Sequence, residues 1–446
     1  MTVTIKRVNM RFYNRDKELK NLENIQKQSL NSSKMTIIVG RRRIGKTSLI
    51  KKAYKKKVYL FVSKKNESLL CEEFVSIIVN TLGIKIHGTF VSFVKLFEYL
   101  MELSIEQAFT LVIDEFQEFL NINSSLYSEI QNIWDEYKDK SKMNLILSGS
   151  IYSLMKKIFE DKKEPLFGRA NNKIHLKAFD IDTLELILKD NYPTYSKNDL
   201  LSFFILTGGV AKYVEIFVDN GTFTLDEQLN LIFDENSLFL EEGKNLLIEE
   251  FGKEYTTYFS ILSLISSSKT TRPQMESILD KNIGGYLDRL ENEYAIIKKI
   301  KPIFAKEGSR TIKYEIVDNF FSFWFRFIYK NRSAIEIENY EYVKNIVKRE
   351  YSTYSGKFLE KYFIERLKLT NKFSNIGTYW EKGNLNEIDI VAINEYEKTI
   401  LIGEVKINPK KISLEVLKNK ASKLTSKFNQ YKIKYVGYSL EDIKEL

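Results

Sequence analysis

The chain has 446 residues, of which 43% are hydrophobic and 13% aromatic, and a formal net charge of +10. It contains one cysteine, so the composition excludes a disulfide within the chain and a Cys-rich zinc site, and neither of its two histidines lies in a recognisable hydrolase motif. The chemistry must therefore rely on carboxylates, lysine, arginine and hydroxyl groups, and the length favours about three domains.

The absence of a long apolar run is the next observation. No segment approaches the ~20 apolar residues that span a bilayer, and the start, MTVTIKRVNM, lacks the apolar core of a signal peptide. We therefore expect a soluble, cytoplasmic protein without a membrane partner. The positive charge is compatible with nucleic acid, whose phosphates Lys and Arg neutralise, but it is equally compatible with a biased amino-acid usage.

A strand, a loop and a helix follow one another in KMTIIVGRRRIGKTSLIKKAY, residues 34–54. The loop matches G-x-x-x-x-G-K-[ST], in which backbone amides and a helix N-terminus surround phosphate oxygens. We expect Lys46 to reach the β- and γ-phosphates and the Thr47 hydroxyl to bind Mg²⁺. The alternative is a chance match in a glycine-containing loop. The predicted nucleotide-binding residues of the loop are Gly40, Arg41, Arg42, Arg43, Ile44, Gly45, Lys46, Thr47 and Ser48. ATP and Mg²⁺ are the predicted cofactors.

An apolar strand with two acidic residues at its end follows in FTLVIDEFQEF. This pattern is a Walker B motif, in which Asp114 would hold the Mg²⁺ through water and Glu115 would polarise the attacking water as general base. A further apolar strand, NLILSGS, ends in hydroxyl groups. Ser148 or Ser150 could contact the γ-phosphate region, although serine also simply terminates strands and starts turns.

These motifs, with FYNRDKELKNL near the start and with PLFGRA and LTGGVAKY, resemble the archaeal-type ATPases, a branch of the AAA+/STAND group of P-loop proteins. The resemblance covers residues 8–245. It implies that Arg15 and Glu18 pack near the nucleotide base and that Arg169 senses the γ-phosphate, with an ordinary surface arginine as the alternative. The family usually has proline where this chain has Ala211, which affects the expected lid contact.

Short helical patterns after residue 176 predict a helical lid. Further along, three helical segments and two strands around a KEGSR turn follow in the order of a winged helix, with helices at 272–279 and 283–292. If this module binds DNA, the expected contacts are Lys281, Asn282, Tyr286 and Arg289, with Lys306 and Arg310 on the wing. Docking of a protein is the alternative. The aromatic segment NFFSFWFRFIY is expected in the core.

Charged residues interrupt two apolar strands in EIDIVAINEYEKTILIGEVK. Glu404 and Lys406 are two positions apart and therefore point to the same face of their strand, while Asp389 lies between two isoleucines of the other strand. Upstream, Glu360 shares a helical stripe with apolar residues. Charged residues on an edge strand also serve solubility, which is the alternative explanation.

A helix Glu, a strand Asp and a Glu-x-Lys pair resemble the PD-(D/E)xK nuclease core over residues 350–437. The resemblance implies that Asp389 and Glu404, helped by Glu360, bind a divalent cation and that Lys406 positions or activates water for attack on a phosphodiester. Retained cleavage and a nuclease fold kept only for binding both remain open.

The predicted fold is an α/β protein with four parts. They are a P-loop parallel-sheet ATPase core at residues 1–175, its helical lid at 176–250, a winged helix at 251–335 and a small restriction-endonuclease-like α/β domain at 336–446. Two functions follow. One is an ATP-hydrolysing protein that couples nucleotide state to DNA binding, with or without metal-dependent cleavage. The other is an ATP-dependent regulatory switch whose C-terminal domains bind a partner without catalysis. A homo-oligomer or a protein partner is left open.

Overall fold

The computed structural model describes residues 10–123, 125–306, 308–309 and 311–444. The chain divides into two compact units, one of residues 13–178 and one that combines residues 10–12 with the chain from Phe179 onward. Each unit is described by itself. In the described part of the chain, no helix combines the length and the apolar character needed to cross a membrane.

The unit of residues 13–178 is built on a parallel five-stranded sheet with the strand order β2-β3-β4-β1-β5. Helices connect the strands, as parallel pairing requires. In chain order, the elements are α1 (Asp16–Ser29), β1 (Lys34–Val39), α2 (Lys46–Ala53), β2 (Val58–Phe61), α3 (Glu67–Leu82), α4 (Phe93–Glu106), β3 (Phe109–Asp114), α5 (Phe119–Ile122), α6 (Leu126–Tyr137), β4 (Met143–Gly149), α7 (Tyr152–Glu160) and β5 (Asn172–His175).

The central strands are nearly continuous apolar runs, because both faces of a parallel sheet are covered. β4 is buried at every position, and β1 and β3 are buried at all positions but the first. Val39 at the end of β1 pairs with Gly149 at the end of β4, while Ile113 of β3 pairs with Leu147. The three strands therefore end at one edge of the sheet, where the residues that follow them meet.

The second unit begins with helices whose N-termini carry capping residues. Ser196 with Asp199 and Thr224 with Glu227 form reciprocal capping boxes, which satisfy amide groups that a helix start leaves without partners. The helices are α8 (Ile181–Asn191), α9 (Lys197–Thr207), α10 (Ala211–Asp219), α11 (Leu225–Ile232) and α12 (Leu238–Phe251).

Three helices and an antiparallel strand pair come next, in the predicted order. They are α13 (Tyr255–Ser266), α14 (Arg272–Leu279), α15 (Gly284–Asn292), β6 (Ile297–Ile300) and β7 (Lys313–Ile316). The aromatic segment that follows forms α16 (Asn319–Phe323), a π-helical turn (Trp324–Ile328), a short 3-10 turn (Tyr329–Asn331) and α17 (Arg332–Glu336). Phe320, Trp324 and Phe327 are buried, as the sequence predicts.

The C-terminal part starts with the 30-residue helix α18 (Tyr340–Leu369) and ends in a mixed four-stranded sheet. Its elements are β8 (Asn375–Tyr379), β9 (Ile388–Asn394), β10 (Thr399–Lys406), α19 (Leu414–Thr425) and β11 (Lys432–Ser439). The strand order is β11-β10-β9-β8, with β10 and β11 parallel and the other pairs antiparallel. The helix α19 makes the crossover that the parallel pair needs.

One glycine of the LTGGVAKY segment is sterically constrained. Gly209 has a φ of +70°, and a Cβ at this position would lie 2.3 Å from the carbonyl oxygen of Phe179. Gly209 also accepts a hydrogen bond from the Phe179 amide at 2.7 Å, so the two backbone segments cannot separate without losing it. Gly221 has a similar φ of +64° but open space around it.

We expect Gly209→Ala to lower the free energy of unfolding by about 3 kcal/mol or more, because overpacking adds to the strain of a left-handed backbone. The matched variant Gly221→Ala has the strain alone and should cost about 1 kcal/mol. Denaturant unfolding of the full chain measures both. Equal losses in the two variants would show that the close approach to Phe179 is unimportant.

Candidate functional site

The loop between β1 and α2 has the backbone of an anion site. Arg43 and Gly45 both have a positive φ, of 68° and 97°, and Lys46 starts the helix directly afterwards. Left-handed residues in such a turn point successive amide groups toward one concave side, which favours a phosphate. At Gly40, a Cβ would lie 2.8 Å from the carbonyl oxygen of Leu176, so a larger residue would displace the start of the loop.

Lys46 lies over this loop. Its Nζ donates hydrogen bonds to the carbonyl oxygens of Gly40 at 2.6 Å and of Arg41 at 3.1 Å, and the side chain is buried. The ammonium group is thus held at the concave side of the loop. A buried cation at this position complements the charge of a bound phosphate.

Two oxygen ligands lie close together beside the loop. The Thr47 hydroxyl is 3.5 Å from Oδ2 of Asp114, the last residue of β3. The hydroxyl of Tyr59 on β2 donates to the same Oδ2 atom, and burial together with the charge of Asp114 raises the pKa of Tyr59. The hydroxyl and the carboxylate are oxygen groups of the kind that Mg²⁺ prefers, so Thr47 and Asp114 are the residues that would hold this cation.

Glu115 is oriented by its neighbours. Its Oε2 atom accepts hydrogen bonds from the Ser150 hydroxyl at 2.7 Å, from the Ser150 amide at 3.2 Å and from Nε2 of Gln117 at 2.5 Å. Its φ of 54° is left-handed, a costly conformation for a residue with a side chain. Ser150 therefore contacts Glu115, whereas Ser148 is fully buried within β4.

The two arginines that the ATPase resemblance suggested lie in different places. Arg15 donates from NH2 to the Lys177 carbonyl at 2.6 Å, next to Leu176, which approaches Gly40. It also pairs with Glu18 at 3.6 Å. The structure thus brings the Arg15 segment close to the start of the phosphate loop.

Arg169 is bound elsewhere in this unit. Its NH2 lies 3.1 Å from Oδ2 of Asp135, and it lines a cavity together with Ser33 and Lys34. Ser33 and Lys34 are at the start of β1, whereas the phosphate loop follows the end of that strand. This position does not support the predicted contact between Arg169 and a γ-phosphate bound in the same chain.

The predicted DNA-contacting residues of the winged-helix segment bind one another. Arg289 pairs with Glu254 at 2.9 Å and lies 5.1 Å from the ring centre of Tyr286. The ammonium group of Lys281 lies 4.6 Å from the same ring centre, and Asn282 accepts a hydrogen bond from Arg272 at 3.3 Å. These contacts use the groups that a phosphate would need.

The loop between β6 and β7, the predicted wing, packs on the C-terminal sheet. The Ile303 amide donates to the Thr378 carbonyl of the edge strand β8 at 2.8 Å, and the Ile303 side chain belongs to that sheet's hydrophobic core. The ring centre of Phe304 lies 5.0 Å from that of Phe428. Lys306 is exposed. Arg310, the other predicted wing contact, lies outside the described residues.

The C-terminal strands bring Asp389, Glu404 and Lys406 together. Nζ of Lys406 lies 3.1 Å from Oδ2 of Asp389 and 3.5 Å from Oε1 of Glu404, so both carboxylates face one lysine. Asp389 Oδ2 also accepts the Val405 amide at 2.7 Å. A second lysine, Lys420 of α19, binds Oε1 of Glu404 at 3.1 Å.

The pKa shifts of this cluster follow from burial and charge. Burial and the nearby charge of Asp389 raise the pKa of Glu360 on α18 to about 8, so this carboxyl group is largely uncharged at neutral pH. Although burial opposes it, the hydrogen bond from Lys420 and the charge of Lys406 lower the pKa of Glu404. Likewise, Asp389 and Glu404 raise the pKa of Lys406 against the effect of burial.

The carboxylate–lysine cluster, defined as Glu360, Asp389, Glu404, Lys406 and Lys420, therefore balances its own charge. Two of its carboxyl groups face two lysine side chains, and burial raises the pKa of the third, Glu360. Among the residues that the structure describes, no group of three or more His, Cys, Asp or Glu side chains is arranged to hold a metal ion. The carboxylates fit lysine ammonium groups as counter-ions better than a divalent cation. Binding of a divalent cation by Asp389 and Glu404 stays a prediction.

Sequence reasoning missed three contacts to the site residues. Tyr59 binds Asp114, Gln117 binds Glu115, and Lys420 binds Glu404. Gln117 follows the acidic pair by two residues, which is the one available sequence signal. Tyr59 reads as an ordinary strand aromatic, and Lys420 is one of many lysines near the C-terminus.

Comparisons with known proteins agree with this geometry. A family model described as an ATPase domain predominantly from Archaea matches residues 12–217, and one described as archaeal and bacterial proteins of unknown function matches residues 324–424. An uncharacterized protein of Methanocaldococcus jannaschii is 29% identical over 89% of this chain and 87% of its own length.

A solved structure of a Walker-type ATPase of Pyrococcus abyssi is similar in fold. It has a TM-score of 0.54 at 19% identity and covers 72% of this chain and 98% of that chain. The matched ATPase model, the parallel sheet and the phosphate-loop geometry together show that the N-terminal part of this chain has the fold of a P-loop ATPase.

Proposed function

We propose that this protein hydrolyses ATP with Mg²⁺ and uses its nucleotide state to control binding of DNA by the unit that begins at Phe179. The observation that carries the nucleotide part is the meeting of Lys46, Thr47, Asp114 and Glu115 at the carboxyl edge of one parallel sheet. The DNA part is supported by the net charge of +10 and by the lysine-rich C-terminal strands and helix.

The roles of the ATPase residues follow from their positions. The amide groups of the loop and the ammonium group of Lys46 bind the phosphates, and the Thr47 hydroxyl and Asp114 would hold Mg²⁺. Bound Mg²⁺ neutralises charge on the phosphate oxygens. Tyr59 holds the Asp114 carboxylate in place. Glu115, whose Oε2 atom is fixed by Ser150 and Gln117, has its Oε1 atom available to orient and deprotonate the attacking water.

The C-terminal cluster supports binding better than cleavage. A nuclease site needs carboxylate oxygens that are available to a divalent cation. Here Asp389 and Glu404 are bound by Lys406 and Lys420, and Asp389 also accepts a backbone amide. The proposed activity is therefore ATP-dependent binding without cutting, and metal-dependent cleavage is the rival outcome of the test.

Lys46→Ala should weaken ATP binding by about 100-fold, because the variant loses a buried cation that bonds to the phosphates. Isothermal titration calorimetry with ATP and Mg²⁺ measures the affinity. Lys51→Ala, which removes an exposed lysine of the same helix, is the matched control and should bind ATP like the parent. Equal affinity of Lys46→Ala and the parent would remove the phosphate-loop assignment.

Glu115→Gln should lower kcat for ATP hydrolysis by about 100-fold or more while the affinity for ATP changes little, because the amide cannot accept the water proton. Steady-state phosphate release and calorimetry separate the two effects. Glu106→Gln, at an exposed site on α4, serves as the control. Unchanged turnover in Glu115→Gln would exclude this residue as the base.

Supercoiled plasmid incubated with the full chain should stay intact in Mg²⁺ or Mn²⁺, with or without ATP, because lysines already neutralise the strand carboxylates. Gel electrophoresis detects a single nick. Nicking that Asp389→Asn abolishes, and that the exposed control Glu395→Gln retains, would instead establish the carboxylate–lysine cluster as a nuclease site.

A further inference from the structure

Two segments of the chain carry a large excess of positive charge. The first, residues 34–65, includes the phosphate loop and contains twelve Lys and Arg residues and no acidic residue. The second lies near the C-terminus. Residues 408–434 contain eight lysines and one acidic residue, Glu415. This second segment therefore has a net charge of +7, and it belongs to the unit that does not contain the phosphate loop. Biased amino-acid usage alone would spread lysines and acidic residues more evenly along the chain.

Most of these lysines are exposed and free of acidic partners. Lys420 and Lys423 bind Glu404 and Glu381. Within the described part of the chain, the other six form no ion pair with a carboxylate, and all six are exposed. Lys432 and Lys434 alternate on β11 with Ile433 and Tyr435, which pack on the α19 side of the sheet, so these two lysines point to its other face. We call the remaining four the lysine surface, and they are Lys410, Lys411, Lys418 and Lys427.

The location of the lysine surface is well defined in the fold. Lys410 and Lys411 precede α19, Lys418 lies on it, and Lys427 follows its end. Leu417, Ala421 and Leu424 bury the opposite side of α19 in the core of the sheet. On the outer side, α19 exposes small polar side chains, namely Asn419, Ser422 and Ser426 at its C-cap. Lysines interleaved with short hydrogen-bond donors are suited to phosphate and sugar oxygens.

Part of this charge has a simpler explanation. Lys432 and Lys434 lie on β11, an edge strand of the four-stranded sheet, and lysines on an edge strand prevent pairing with another chain. That argument does not apply to Lys410, Lys411, Lys418 and Lys427, which lie in a loop, on a helix and beyond its end. These four need another explanation.

The helix α15 of the predicted winged helix, in contrast, carries one basic residue, Arg289, although Lys269, Lys281, Lys301 and Lys306 of the same segment are exposed. The exposed residues of α15 and its end include Asp288, Asn292 and Glu293, while Arg289 is bound to Glu254. Arg272 is bound to Glu276 at 2.8 Å. An acidic exposed face would repel DNA phosphates. The charge distribution therefore favours the lysine surface over α15 as the site of DNA contact.

We propose that the lysine surface binds the phosphate backbone of duplex DNA. This inference rests on the proposed function, in which the unit beginning at Phe179 binds DNA, and it assigns that binding to the region around α19. The contacts are electrostatic and independent of base sequence, because contacts between lysine ammonium groups and phosphates carry no sequence information. Each phosphate contact contributes about 0.9 to the slope of log affinity against log salt concentration.

The test uses the full chain and a short fluorescent duplex of mixed sequence, with anisotropy recorded over a range of salt concentrations. The variant Lys410→Gln/Lys411→Gln/Lys418→Gln should bind about tenfold more weakly or worse, with a salt slope smaller by about two to three. The control Lys55→Gln/Lys162→Gln/Lys163→Gln removes the same charge from exposed sites of the ATPase unit and should bind like the parent. Thermal unfolding checks that each variant folds.

A third variant, Lys281→Gln/Arg289→Gln, addresses the winged-helix segment and should keep the parent affinity. If this variant loses binding and the lysine-surface variant does not, the proposed location is wrong although the protein binds DNA. An equal loss of DNA affinity in the ATPase-unit control would show that net charge alone causes the effect. This result would also overturn the assignment. If the parent does not bind the duplex at low salt, both the assignment to the lysine surface and the DNA part of the proposed function are wrong.

Discussion

The alignment of parallel strands at one sheet edge is the constraint on which the nucleotide site depends. Val39, Ile113 and Leu147 belong to neighbouring strands in one register, so the residues that follow them are brought together by backbone hydrogen bonds. The strand register alone brings the side chains that follow these strands within contact distance. Thr47 reaches Asp114, and Ser150 reaches Glu115, although each pair is far apart in the sequence. A change in the register of β1 against β4 would move the phosphate loop, which follows β1, away from Ser150, which follows β4 and contacts Glu115.

Two residues at this edge of the sheet have strained backbone conformations. Glu115 and Arg43 adopt left-handed conformations that cost free energy, and both flank positions where phosphate chemistry is expected. The hydrogen bonds from Ser150 and Gln117 to Glu115 offset part of that cost. Gly149 allows Gln117 to approach, because a Cβ there would lie 2.3 Å from Oε1 of Gln117. The orientation of Glu115 therefore depends on a glycine of the NLILSGS segment and an amide of the FTLVIDEFQEF segment.

Elements encoded by consecutive residues were predictable from the sequence, and contacts between distant elements were not. The strands that end at Val39 and Asp114 are apolar runs followed by polar residues, a pattern visible in one dimension. The helix Arg272–Leu279 was predicted with the same bounds. The pairing of Arg289 with Glu254 and of Arg169 with Asp135 depends on packing across many residues. The sequence alone does not show these pairs. Arg289 and Arg169 were therefore expected to contact DNA and a γ-phosphate, whereas the structure pairs each of them with a carboxylate.

Buried carboxylates need a positive partner, and the identity of that partner distinguishes two functions for one fold. Repulsion between Asp389 and Glu404 can be relieved by a divalent cation or by ammonium groups. Lys406 and Lys420 provide the second solution, and the neutral Glu360 removes a third charge from the problem. Meanwhile, the loop between β6 and β7 packs through Ile303 on the edge of the same sheet. The four residues of the lysine surface lie outside this cluster and have no carboxylate partner in the described part of the chain, so the proposed DNA contact is placed by charge distribution and not by motif order.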